Sequence, residues 1–325
     1  MKRSVFLQQL GLGALGSSTT LQFACGNPKP KHTNAFQKKE MFFKLSLAQW
    51  SIHRLIENGK ISPYNFAALA HKWGFEGLEY VGSLYPEMEG KKSTKTAQSF
   101  IEQNNELAKA HQQKNLLIMI DDEGDLSDAN ETKRVAGVEN HKFWIETAAA
   151  MGCHSVRVNL FGAFEVDRWK EQSKKSMEAL GAFAKPYNIH VLVENHGYLS
   201  SHAQYLMEVL NEVDLSNCGT LPDFGNFCLR REGNARWDNP CVEEYDRYQG
   251  ITEMMPRAFA LSAKSYDFDA QGNEVTIDYK RMLQIAQDAN YQGYIGVEYE
   301  GNRLSEEAGI LATRDLLIRL GKELS

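Results

Sequence analysis

A chain of 325 residues, with 42% hydrophobic and 24% charged side chains, is long enough to bury a sizeable core without staples, which excludes disorder and coiled coil. Its 36 basic residues face 42 acidic ones for a net charge of -6, with no basic block, and this argues against a nucleic-acid partner. A mean hydropathy of -0.45, and no apolar run of the roughly eighteen residues a span needs, exclude a transmembrane helix in the body of the chain.

The first forty residues stand apart from the fold. Met1-Lys2-Arg3, a moderately apolar stretch Val5 to Ala24 interrupted by Gln8 and Gln9, and Cys25 after a small residue read as an export signal over residues 1–25. Leu21-Gln22-Phe23-Ala24-Cys25 is a loose lipobox, which would place a lipid anchor on Cys25, and Lys2-Arg3 with Phe6-Leu7 is similar to a degenerate twin-arginine signal. The expected address is the periplasm, free or as a membrane-anchored lipoprotein. Residues 26–42, basic and proline-containing, read as a tether. Cys153, Cys218, Cys228 and Cys241 have no zinc spacing; four cysteines in an exported chain allow two disulfides in three connectivities, but free or buried thiols are the preferred expectation because a core of this size does not need staples.

From Phe43 onward a short β-rich apolar run, a polar end and a helical stretch recur. The runs are Phe43 to Trp50, Gly77 to Val81, Leu116 to Ile120, Ser155 to Val158, His190 to Val193, Cys218 to Leu221, Ala258 to Ala263 and Tyr294 to Val297. Helical spacing lies between them at Tyr64 to Trp73, Lys95 to Lys114, Val138 to Met151, Ser173 to Tyr187, His202 to Val213 and Asp278 to Asn290. Gly74, Gly152 and Gly293 are placed as helix C-caps. Eight βα units over 43–325 predict a single α/β domain, a (β/α)8 TIM barrel with parallel inner strands. A doubly wound sheet would need a glycine-rich loop after the first strand, where the chain reads Gln49-Trp50-Ser51-Ile52-His53.

Chemistry in such a barrel gathers where the strands end. Those positions hold Gln49 and His53, Glu79, Asp121, Arg157 and Asn159, Glu194 and His196, Asp223 and Asn226, Ser262 and Lys264, and Glu298 and Glu300. Alternation lets Glu194 share a face with His196, Ser262 with Lys264, and Glu298 with Glu300. Carboxylates converging on one mouth repel unless a cation lies among them. Asp122 and Glu123 read as loop charges. Trp50, Tyr80, Phe161, Trp169 and Tyr266 offer either core or a wall for a sugar ring.

The segments Val191-Leu192-Val193-Glu194-Asn195-His196-Gly197, Pro222-Asp223-Phe224-Gly225-Asn226, Ser262-Ala263-Lys264 and Gly296-Val297-Glu298-Tyr299-Glu300-Gly301 resemble the sugar phosphate isomerase/epimerase family, with its xylose isomerase-like barrel. The resemblance implies Glu194, Asp223 and Glu298 as ligands of a divalent metal (Mn, Mg, Co or Zn), the two glutamates doubling as acid and base. It breaks at the seventh strand, where Ser262 stands in place of histidine, and Asn226 stands where a further histidine is common. Three outcomes follow: His196 supplies an imidazole, a metal is held by carboxylates and water, or Lys264 serves as the cation.

Such a site implies proton abstraction next to a carbonyl of a sugar or keto-sugar, with Glu194, Glu298 and Lys264 catalytic and the enediolate stabilised by a metal or by Lys264. His53, Glu79, Asp121, Arg157, Asn159, Asn226 and Trp237 are the expected substrate contacts. A lyase or dehydratase acting on keto-sugars or keto-glycosides, and a non-catalytic carbohydrate-binding barrel, are the alternatives; an endonuclease with a zinc cluster is opposed by a total of 9 histidines. Residues Leu229 to Gln249 are long for a βα loop and read either as a lid over the mouth or as a homo-oligomer interface.

Overall fold

The computed structural model describes residues 40–90, 94–237 and 239–325. The export signal, Cys25 and the tether as far as residue 39 lie outside them. In chain order the strands are β1 (Lys44–Ala48), β2 (Gly77–Val81), β3 (Lys114–Met119), β4 (Ser155–Val158), β5 (His190–Glu194), β6 (Cys218–Leu221), β7 (Cys228–Arg231), β8 (Cys241–Glu244), β9 (Leu261–Ser265) and β10 (Tyr294–Tyr299). Eight of them form one parallel sheet in the order β6-β5-β4-β3-β2-β1-β10-β9. The outermost two also meet: Phe224 N donates to Ser262 O, Ser262 N to Pro222 O and Phe259 N to Thr220 O.

The helices are α1 (His53–Glu57), α2 (Phe66–Lys72), α3 (Thr94–Ala110), α4 (Glu131–Ala150), α5 (Val166–Ala184), α6 (Ala203–Val213), α7 (Arg247–Met254), α8 (Tyr279–Asp288) and α9 (Glu306–Leu324). Their starts are set by side-chain caps where the sequence offers them: Asn130, Asp246, Asp278 and Ser305 each accept from a backbone N–H of the first turn. Gly74 and Gly152 adopt the positive φ of a C-cap, but Gly293 does not. After α8 that conformation is taken by Asn290 at φ 57°, whose polar side chain tolerates it, while a Cβ at Gly293 would collide with the Tyr291 ring.

Strand alternation sorts the core into two layers. Leu78, Tyr80, Val156, Val158, Ala263 and Val297 are buried apolar residues. The residues between them, Glu79, Arg157, Ser262, Lys264 and Glu298, meet one another on the other face of the sheet. Tyr80 and Trp169 are core residues, with Trp169 Nε1 donating to Leu160 O. No described helix is long and apolar enough to cross a membrane.

The excursion after β6 corrects the expectation for the cysteines. β7 and β8 pair antiparallel, and Cys228 is disulfide-bonded to Cys241 with Cα atoms 5.8 Å apart, while Cys153 and Cys218 are free and buried. The large core does stabilise the barrel without staples, as composition suggested. The hairpin, however, lies outside that core, with β8 exposed throughout, and so has little apolar burial of its own to hold it together.

Candidate active site

Three strand ends bring Glu194, Asp223 and Glu298 together, each buried and each with a carboxylate oxygen within 4.8 Å of the others. Asp223 is fixed by backbone donors, Gly225 N and Asn226 N, both at 2.8 Å from Oδ1. Its own N–H donates to Asn195 Oδ1, whose Nδ2 returns to Asp223 O and Asn226 O. Asn226 Nδ2 then donates to Glu194 Oε1 at 3.0 Å. Asn195 was not among the expected site residues, because alternation turns it away from Glu194 and His196; it positions the sixth-strand loop from that side.

Ser262, at the expected histidine position, donates its hydroxyl to Asp223 Oδ2 at 2.5 Å and lies 3.1 Å from Glu298 Oε2. Lys264, fully buried, places its ammonium 2.6 Å from Glu298, 3.1 Å from Glu300 and 3.9 Å from Asp223. Burial works against that charge, but Glu298, Glu300 and Asp223 outweigh it and hold the lysine well above its ordinary pKa. Glu300, tied to Lys264 and Trp50, is a strand-end residue to which the sequence reading gave no role. Its signal was present as the second member of the Glu298/Glu300 pair.

On the opposite side Arg157 reaches Asp121 with Nη1 at 2.5 Å, and its Nε lies 2.8 Å from Glu194 Oε2 without an aligned hydrogen bond. Asn159 Nδ2 donates to Asp121 Oδ1, and the Asn159 carbonyl accepts from His196 Nδ1 at 2.9 Å. This chain leaves Nε2 of His196 as the basic nitrogen, and burial, then Arg157, push the imidazole down to about 4. Burial raises Glu194 and Asp223 above the usual carboxylate range despite Arg157 and Lys264. Repulsion adds to burial: among the described residues of this cluster Asp121, Glu194, Asp223, Glu298 and Glu300 share two cations, Arg157 and Lys264.

Glu79 pairs with Ala48 in the sheet, and its carboxyl reaches back to Ser46, whose hydroxyl donates to Oε1 at 2.6 Å; Oε2 has no hydrogen-bond partner. Burial pushes this carboxyl up to about 8, and Gly296 is required beside it because a Cβ there would sit 2.5 Å from Oε2. His53 is at the rim rather than at the carboxylates: it stacks on Trp50 at 4.1 Å, with Nδ1 donating to Trp50 O. Gln49 is structural, bonded to Val81 N, Pro63 O and the Tyr85 hydroxyl. Glu123 accepts from Trp144 Nε1 and so is more than a solvated loop charge. The hairpin sends Trp237 to the rim, 4.9 Å from His196 and 5.7 Å from Phe161 between ring centroids.

The sequence model of a family described as the xylose isomerase-like TIM barrel matches residues 67–320. The chain belongs to that family. Its fold is shared with the 3-keto-D-glucoside 4-epimerase of E. coli, at TM-score 0.59 and 17% identity over 86% of this chain and 98% of that one. It is also shared with the IolI protein solved with a bound zinc atom, at TM-score 0.61 and 14% identity over 86% and 99% of the two chains. A stretch of 54 residues is 35% identical to the C-glycoside deglycosidase alpha subunit of Arthrobacter globiformis, covering 17% of this chain and 15% of that relative's length.

A metal is implied by the family, and the donor set here is three carboxylates with a serine hydroxyl in place of imidazole. That set of oxygen donors, with more carboxylates than the two cations beside them offset, fits a divalent ion. Glu194, Asp223 and Glu298 would hold it. His196 lies outside this triad, its Nδ1 engaged with Asn159.

Proposed function

We propose that the protein is a keto-sugar isomerase or epimerase that moves a proton next to a carbonyl, working in a closed (β/α)8 barrel. The observation that carries this reading is the pair Glu194 and Glu298, held differently within one carboxylate cluster. Glu298 is hydrogen-bonded to the Lys264 ammonium, whereas Glu194 lies against Arg157 without an aligned hydrogen bond and is raised by burial towards the protonation range of a general acid. One carboxylate removes the proton and the other returns it to the opposite face or the adjacent carbon. A divalent ion, when bound, supplies polarisation of the carbonyl and charge stabilisation.

The chain's own groups do the rest. The Lys264 ammonium and the buried, unaligned Nε–H of Arg157 are charged donors for the oxygen that becomes negative, and in a site with little water such fixed donors count for more than in solution. Asp121 and Asn159 hold Arg157 and His196 in register, and the neutral Nε2 of His196 accepts a sugar hydroxyl. The test is wash-in of solvent deuterium into 3-keto-glucose and related keto-sugars, with elemental analysis of protein purified without chelator. Glu194→Gln and Glu298→Gln should each abolish exchange while keeping ligand binding. Binding without exchange in the wild type would refute the reading in favour of a carbohydrate-binding barrel.

A second reading, elimination of a substituent from the same carbanion, is favoured by the similarity to the deglycosidase subunit. It predicts release of the substituent along with exchange. We also propose export of the chain, as residues 1–25 suggest; the Cys228–Cys241 disulfide supports this, since such bonds persist in oxidising compartments.

A further inference from the structure

Around the mouth, on the side of β4 to β6, aromatic rings collect that the proton-transfer chemistry does not use. Phe161 and Trp237 meet edge to face, and both lie against the ring of His196. Arg236, next to Trp237, lies over the Phe161 ring at 4.8 Å and pairs with Asp125 at 3.2 Å, fastening the hairpin tip across to the loop after β3. Beside them Phe164 is 71% exposed and packs edge-on against Tyr198. Tyr198 holds φ at 52°, a costly conformation for a residue of its size, while its hydroxyl donates to Asn234 O of the hairpin.

These rings are coupled to the reacting end of the pocket through His196. One edge of the imidazole is bonded through Asn159 and Asp121 to Arg157, which lies against Glu194; its face belongs to the aromatic group. His196 thus lies between the carboxylate cluster, which it meets through Asn159, Asp121 and Arg157, and the rings of Phe161 and Trp237. Rings that are amphipathic or partly exposed, held in place by a disulfide-closed hairpin and an ion pair, are suited to stacking on another ring.

We propose that Phe161, Trp237 and His196 form a second subsite that receives a ring attached to the reacting sugar, so that the substrate is a glycoside rather than a free monosaccharide. This rests on the keto-sugar reading of the carboxylate site. The disulfide-closed hairpin is the positioning element, because it delivers Trp237.

The test is calorimetric titration of the full-length protein with glucose and with both anomers of phenyl glucoside, which cannot react. One phenyl glucoside should bind about tenfold more tightly than glucose. Trp237→Ala and Phe161→Leu should each bring that ratio close to one by weakening phenyl glucoside more than glucose, and Glu194→Gln should preserve it. Melting temperatures confirm that the variants are folded. A ratio near one in the wild type, or one untouched by both substitutions, overturns the proposal. Deuterium exchange into 3-keto-glucose and its methyl glycoside separates the two claims: exchange absent from both with a preserved ratio refutes the isomerase reading and supports the subsite, whereas exchange with no preference for phenyl glucoside refutes the subsite alone.

Discussion

Replacing Lys264 with methionine removes one buried charge and keeps the length of the side chain. At an effective dielectric of about 20, an ammonium 2.6 Å from Glu298 is attracted by ~6 kcal/mol and one 3.1 Å from Glu300 by ~5 kcal/mol. Desolvation of the ammonium offsets several kcal/mol of this, and removal of one partner from a buried pair costs ~3–5 kcal/mol because the other charge is stranded. For a folded unit whose described residues run from 40 to 325, at roughly 2 °C per kcal/mol, the melting temperature should fall by roughly 5–10 °C at pH 8. The stranded carboxylates can take up protons, so the loss should shrink on going to pH 5. Thermal melts of both proteins at the two pH values decide it: a loss under 2 °C or so at pH 8, or one larger at pH 5, would refute the claim that Lys264 is the cluster's built-in cation.

Glu79 gives a pH signature in the wild type. Its folded pKa of about 8 lies above the ordinary carboxylate value, so the native state holds a proton that the unfolded chain releases, and stability should decline as pH rises from about 4.5 through about 8. Glu79→Gln should flatten part of that slope in melting curves; an unchanged slope would argue that the carboxyl is not held neutral. Adding millimolar Mg2+ or Mn2+ at pH 8 should raise the melting temperature of the wild type but not of Asp223→Ala, and equal shifts in both would place the ion elsewhere. Ser262→His returns an imidazole between Asp223 and Glu298 and should increase zinc retained through purification, as elemental analysis would show. Cys228→Ser with Cys241→Ser should speed tryptic cleavage at the hairpin arginines more than it lowers the global melting temperature, since the bond closes a loop lying outside the main core.

The barrel's strands and most of its polar mouth can be read in the linear chain because both obey short-range rules. A parallel strand buried on both faces needs a short continuous apolar run, and period-two alternation decides which residues share an inward face. Gly77–Val81, Ser155–Val158 and Cys218–Leu221 therefore begin and end where the pattern says, and Glu194, Asp223 and Glu298 converge as their strand ends imply.

Other features depend on distances between segments remote in sequence, which no local pattern contains. The Cys228–Cys241 bond follows from a hairpin that only the folded excursion defines. The support given to Asp223 by Asn195, and the joining of His196 to Arg157 through Asn159 and Asp121, come from residues on neighbouring strands meeting at bonding distance. The same holds for the shape of the carboxylate cluster. The sequence alone determined that acidic groups would meet near a lysine and that a serine would stand where histidine was expected. Tertiary structure decided that Ser262 bridges Asp223 and Glu298 while Lys264 is drawn to Glu298 and Glu300, because burial makes each charge seek its nearest counter-charge and those neighbours are fixed only when the strands assemble.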